Sequence, residues 1–129
     1  MSFKKDHGEH NKNLCDELFK STKYNDWVLT TAFYSSIHYI DYALFPLIDN
    51  GKTFISVDSS CQHFRAHSRH DCRKKLVTKF MASQLDNYNY LDKNCRNARY
   101  VNYIVSSSKA TQAKEKVELI IKACLAIKP

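Results

Sequence analysis

The sequence predicts an all-α fold, an up-and-down bundle of four to five helices. Three observations carry this. The 129 residues include only two Gly and two Pro, far below the usual ~7% and ~5%, which excludes a turn-rich sandwich, a Gly-rich phosphate loop and a collagen-like repeat. Apolar residues recur at helical spacing through most of the chain. Strand-like alternation is absent except at Thr53–Val57. A content of 43% hydrophobic and 12% aromatic residues suffices for one core and excludes disorder throughout. The length fits a single domain.

Residues 1–8 read as a polar tail. A first helix is expected near His10, because Leu14, Cys15, Leu18 and Phe19 share one face. Ser21 to Lys23 break it. The second helix has Asn25 or Asp26 as its N-cap. Phe33, Ile37, Ile40, Leu44 and Ile48 form one apolar stripe; Trp27, Tyr34, His38, Tyr42 and Phe45 form another. Two apolar faces place this helix at the centre of the bundle or in a subunit interface. Pro46 kinks or ends it.

Residues 49–62 hold the turn residues Asp49, Asn50 and Gly51 and read as a loop. A third helix is predicted over 63–83, with Leu76, Val77, Phe80 and Met81 at its apolar end. A fourth spans 84–104, with Leu85, Tyr88, Leu91, Cys95 and Ala98 on one face. Ser106 to Ser108 form a break with capping potential. A last helix over 110–127 buries Ala113, Val117, Ile120, Ile121, Cys124 and Leu125. No repeat, linker or low-complexity tract interrupts this pattern.

No apolar stretch follows Lys4 and Lys5, so a signal peptide is not expected. The longest apolar region, 27–48, is interrupted by Thr, Tyr, Ser, His and Asp and reads as a core helix, not a membrane span. Five scattered cysteines fit free thiols in a reducing compartment. A cytoplasmic protein without membrane contact is the expectation.

The net charge of +7 is local. Every arginine (Arg65, Arg69, Arg73, Arg96, Arg99) lies between positions 65 and 99, with Lys74, Lys75, Lys79 and Lys93, against Asp71, Asp86 and Asp92. On a helix, Arg65, Arg69 and Arg73 form one stripe at i, i+4, i+8. Planar guanidinium forks suit phosphate. The plainer reading of the same stripe is a solvated face with packing arginines.

Other motifs are weaker. Cys61, His63, His67, His70 and Cys72 fall within twelve residues, and His63 and His67 share a helical face. There is no Cys-x-x-Cys pair, and Arg65 and Arg69 would crowd a cation, so neither metal nor cofactor is expected. His38, with Asp41 three residues on, reads as a base or an oriented hydrogen-bond pair. Its plainer reading is a buried histidine satisfied by Asp41 or a tyrosine. Nucleophile elbow, P-loop, dinucleotide fingerprint and paired acidic metal motif are all missing. Arg96-Asn97-Ala98-Arg99-Tyr100 sets two arginines at i, i+3 among Asn97, Asn102, Tyr100 and Tyr103, a composition suited to phosphates and stacked bases.

Three blocks together resemble the HEPN superfamily, the helical "higher eukaryotes and prokaryotes nucleotide-binding" domains. They are Tyr24-Asn25-Asp26-Trp27 followed by Ala32 to Tyr39; His63-Phe64-Arg65-Ala66-His67 with Arg69; and Tyr88, Leu91, Cys95, Arg96, Ala98, Arg99 and Tyr100. They cover roughly residues 10–125. The resemblance implies a helical bundle, a homodimer, and polar residues of the fourth helix beside the dimer cleft. Catalytic members are metal-independent endoribonucleases with an Arg-x4–6-His motif, in which the 2′-hydroxyl attacks the adjacent phosphate. Here Asn102 stands where that His is expected, and no His follows it. A literal Arg-x4-His occurs at Arg65–His70.

The leading expectation is a module that binds nucleotide or RNA phosphate through Arg65, Arg69, Arg73, Arg96, Asn97, Arg99, Tyr100 and Asn102. A toxin–antitoxin or defence system would supply an antitoxin or nucleotidyltransferase-like partner. One alternative is an endoribonuclease using Arg65 or Arg96 with His70, His67 or His38. The other is a structural dimerisation module whose arginines form salt bridges.

Overall fold

Ser2 opens the first helix. Its Oγ accepts a hydrogen bond from the Lys5 amide at 3.4 Å, and Asp6 sits in the first turn, where a carboxylate suits the helix dipole. In this computed structural model, which describes residues 2–129, α1 spans Phe3–Ser21. The expected polar tail is therefore helical. Its polar side chains are exposed or half-buried, and it docks through Gly8, whose carbonyl accepts from Ser35 Oγ at 2.8 Å. Thr22, in the left-handed region at φ 58°, ends α1.

The second helix, α2, spans Asn25–Leu44 and is buried along most of its length. Its N-cap position is Tyr24, not Asn25 or Asp26; the Asn25 side chain instead donates to the Val105 carbonyl at 3.0 Å. The helix stops short of Pro46 because the residue before a proline is pushed out of the α region, and Phe45 is extended. Ile48 therefore leaves the predicted helical stripe and is 72% exposed.

The expected loop 49–62 is more ordered than its composition suggested. β1 (Leu47–Asp49) and β2 (Lys52–Phe54) form an antiparallel hairpin, with Ile48 opposite Thr53. Asn50 and Gly51 take positive φ values of 49° and 74°, the conformation that an Asn-Gly hairpin turn requires. Ser56 and Ser59 form a reciprocal capping box around a single turn, α3 (Val57–Ser60).

The predicted third helix begins six residues late. α4 spans Arg69–Phe80, capped by Ser68 Oγ, which accepts from the Asp71 amide at 3.1 Å. Arg65 sits at φ 53°, which a continuous helix excludes. A 3₁₀ turn (Ala82–Gln84) leads into α5 (Leu85–Tyr100), and Ser106 caps α6 (Ser107–Ile127).

α2 packs against α1, α5 and α6. Contacts between His7 and His38, and between Cys15 and Val28, set α1 antiparallel to α2. Asn25 bonding Val105, and Lys128 bonding the Tyr42 carbonyl, run α6 alongside α2 in the same direction. The result is an all-α, up-and-down bundle of α1, α2, α5 and α6, with the hairpin, α3 and α4 inserted between α2 and α5. Leu29, Ile40, Leu76, Tyr88, Leu91, Val117 and Ile120 are fully buried in its core. Each such aliphatic side chain contributes roughly 1.5–3 kcal/mol over its exposed state. No helix among the described residues is long and apolar enough to cross a membrane.

Candidate nucleic-acid interface

Five of the segment's nine cations pair with carboxylates, three of which come from elsewhere in the chain. Arg69 forks onto Asp58 at 2.6 and 2.8 Å. Arg73 forks onto Asp41 with two 2.9 Å bonds, and Arg73 is only 7% exposed. Lys79 reaches Asp49 at 3.0 Å, and Lys75 lies 3.4 Å from Asp71. The predicted stripe of Arg65, Arg69 and Arg73 therefore does not exist as a phosphate-facing surface. Arg65 precedes α4, Arg69 is paired at its first residue, and Arg73 points into the protein. Burial alone would lower the Arg73 pKa, but Asp41 more than offsets it and holds the guanidinium charged.

Asp41 is thus committed to Arg73 rather than to His38. The His38 ring stacks on His7, with centroids 3.7 Å apart and planes 21° from parallel. Burial first, and then His7, lowers its pKa below the usual 6.5. The His63 ring bonds Asp49 through Nε2 at 2.8 Å, which withdraws it from the Cys/His cluster. His67 is exposed, and its amide donates to Asp71. Among the described residues, no group of three His, Cys, Asp or Glu side chains is placed to hold a metal ion.

The expected catalytic set of Arg65, His70 and Arg96 lies on three separate segments. Neither a hydrogen bond nor an ion pair joins them among the described residues. His70 rests over buried Phe33, 6.2 Å between centroids. Arg96 forks onto Asp92 one turn earlier, at 3.0 and 2.9 Å, and stays exposed. Asn102 Oδ1 accepts from the Ile104 amide at 2.9 Å, so it fastens the connection between α5 and α6.

What remains is a distinct surface at the C-terminal end of α5. Four basic residues of the segment have no carboxylate within ion-pair distance among the described residues: Arg65, Lys74, Lys93 and Arg99. Arg99 sits between two rings, 5.6 Å from Tyr34 and 5.0 Å from Tyr100, and donates to the Tyr34 hydroxyl. Lys74 and Lys93 line a cleft of about 550 Å³ with Arg96 and Asn97. Asn97 also lines a second cleft, of about 540 Å³, with Asn94, Asn102, Ser106 and Lys109. Val101 and Ile104 line the second cleft, and they and their sequence neighbours Tyr100 and Tyr103 are each more than 70% exposed; Trp27, in the first turn of α2, is 53% exposed. Sequence periodicity assigned Trp27 to a buried stripe; it is instead exposed while its neighbours Val28 and Leu29 are buried.

Sequence composition flagged Arg96, Asn97, Arg99, Tyr100 and Asn102, and the structure gathers them at this end. It missed Lys109 and Asn94, which come from α6 and from an earlier turn of α5. Helical spacing held a signal for Asn94, three residues before Asn97. Lys109 gave none, since only the fold brings α6 alongside. No family model matches this chain, and no curated protein or solved structure matches it.

Proposed function

We propose that this chain binds nucleotide or single-stranded RNA through its phosphates, along the exposed edge of α5. One observation carries the reading: Arg99 is an exposed guanidinium held between two tyrosine rings with no carboxylate partner. A phosphate can take its charge without breaking an ion pair. Lys74 and Lys93 add unpaired ammonium groups in the adjoining cleft. Exposed Tyr100 and Tyr103 supply faces for base stacking, worth about 1–3 kcal/mol per base. Cations beside stacking platforms are how strand-tracking surfaces bind without reading sequence. The HEPN-like sequence blocks point the same way and bring with them the homodimer and an antitoxin or nucleotidyltransferase-like partner.

Strand cleavage is outside this reading. Asn102 neither gives nor takes a proton near neutral pH, and its oxygen is bonded to Ile104. A second reading, self-association through the same end, draws on exposed Val101 and Ile104, aliphatic residues that contribute nothing to a phosphate site.

The test is fluorescence anisotropy with labelled single-stranded RNA at about 50 mM salt, without added metal. The double variant Lys93→Ala/Arg99→Ala is expected to weaken binding at least about tenfold, and Tyr100→Ala by about the same. Unchanged affinity in both variants overturns the proposal. Ile104→Asp reports on the second reading: it turns a dimer into a monomer in sedimentation, or leaves the mass unchanged.

A further inference from the structure

Two of the five cysteines meet. Cys61 directly follows α3, and Cys72 lies in the first turn of α4. Cys61 Sγ donates to the Val57 carbonyl at 3.2 Å, and Cys72 Sγ approaches the same oxygen at 3.8 Å. Ser60 Oγ is 3.5 Å from Cys72 Sγ. Two thiols that share one acceptor oxygen are neighbours. The other three cysteines, Cys15, Cys95 and Cys124, are buried on α1, α5 and α6. Neither ion pairs nor the proposed interface use Cys61 or Cys72.

The two thiols differ in access. Cys72 is wholly buried, whereas Cys61 is partly exposed. Burial first, then the adjacent Cys72 thiol, pushes Cys61 up to about 11, so Cys61 is mostly a thiol at neutral pH and its reaction is slow there. We propose that Cys61 and Cys72 are an oxidisable dithiol, in which Cys61 meets a hydroperoxide and Cys72 resolves it to an intramolecular disulfide. The Cys61 thiolate attacks the peroxide O–O bond, forming a sulfenic acid and releasing the alcohol or water. Cys72 sulfur then attacks the Cys61 sulfur. The S–O bond breaks, and the hydroxyl leaves as water with the Cys72 proton. Two thiols lose two electrons and the peroxide gains them. The bridge ties the end of α3 to the start of α4, closing the segment that carries Arg65, His67, Arg69 and His70. It stands independently of the phosphate-binding proposal.

The experiment uses the reduced full chain, treated with hydrogen peroxide, quenched by acid and alkylated. Expected are a mass loss of two hydrogen atoms per chain, a peptide pair joining Cys61 to Cys72, and three thiols still alkylated. Bridging should accelerate as pH rises, following the Cys61 thiolate, and should be reversed by a thiol reductant. In Cys72→Ser, Cys61 should be trapped as a sulfenic acid that a dione probe captures. If that variant fails to fold, Cys61→Ser serves at the partly exposed position and must abolish the bridge. Pairing of either residue with another cysteine, chain-to-chain disulfides only, or no oxidation of Cys61 overturns the proposal. So does bridging as fast in urea as in the folded chain, because the fold would then contribute nothing.

Discussion

Arg73 shows how a residue's role changes between sequence and structure. In the sequence it is one of five arginines in a basic segment. In the fold it is a buried cation held by both oxygens of Asp41, at 2.9 Å each. The partner is 32 positions away, so no local spacing reveals it. Removing the carboxylate leaves a buried charge uncompensated, which costs about 3–5 kcal/mol. Asp41→Ala should lower stability by about that amount in urea unfolding, and Asp41→Ala/Arg73→Met should recover most of it. His38 belongs to the same neighbourhood, facing His7, Asp41 and Arg73. Burial, then His7, holds its folded pKa below the unfolded value of 6.5, with Arg73 adding to the depression and Asp41 opposing it. The unfolded chain therefore binds more protons than the folded one below that value. Stability falls as pH drops through about 6.5 and levels off beneath the folded pKa. The urea midpoint of the native protein should be lower at about pH 5.5 than at about pH 7.5. His38→Gln should shrink that difference.

At the scale of elements, apolar periodicity made α2, α5 and α6 legible to within a few residues, because each buries a continuous stripe. It failed where an element is held by something other than apolar side chains. The first two turns of α1 are nearly all polar, yet they are helical because Ser2 caps them and Gly8 lets the helix lie against the Tyr39 ring. A Cβ at position 8 would come within 2.6 Å of that ring. Alanine ordinarily favours a helix over glycine by about 1 kcal/mol. Here Gly8→Ala should instead destabilise by roughly 1–3 kcal/mol, as overpacking does, read as a lower thermal midpoint. The start of α4 was also misplaced. Ser68 caps it, and Arg65 occupies a left-handed conformation that breaks the helix before it. Arg65, Arg69 and Arg73 consequently never form a stripe.

Across the whole molecule, the basic segment keeps less of its charge than its sequence suggests. Asp41, Asp49 and Asp58 fold onto it from outside and pair with Arg73, Lys79 and Arg69. Of its cations without a carboxylate among the described residues, Lys74 and Lys93 line one of two clefts that share Asn97, and Arg99 lies two residues further along α5. The composition of this site was legible around Arg96 to Asn102. Its geometry was not, because Lys74 and Lys109 come from other helices. The most direct test is the salt dependence of binding to labelled single-stranded RNA. A surface that places two to three cations on phosphates should give log K falling against log salt with a slope of about −1.5 to −2. The slope should shrink to between about −0.7 and zero in Lys93→Ala/Arg99→Ala, according to whether Lys74 also meets a phosphate. A flat dependence in the native protein, or no binding at about 50 mM salt, contradicts the account.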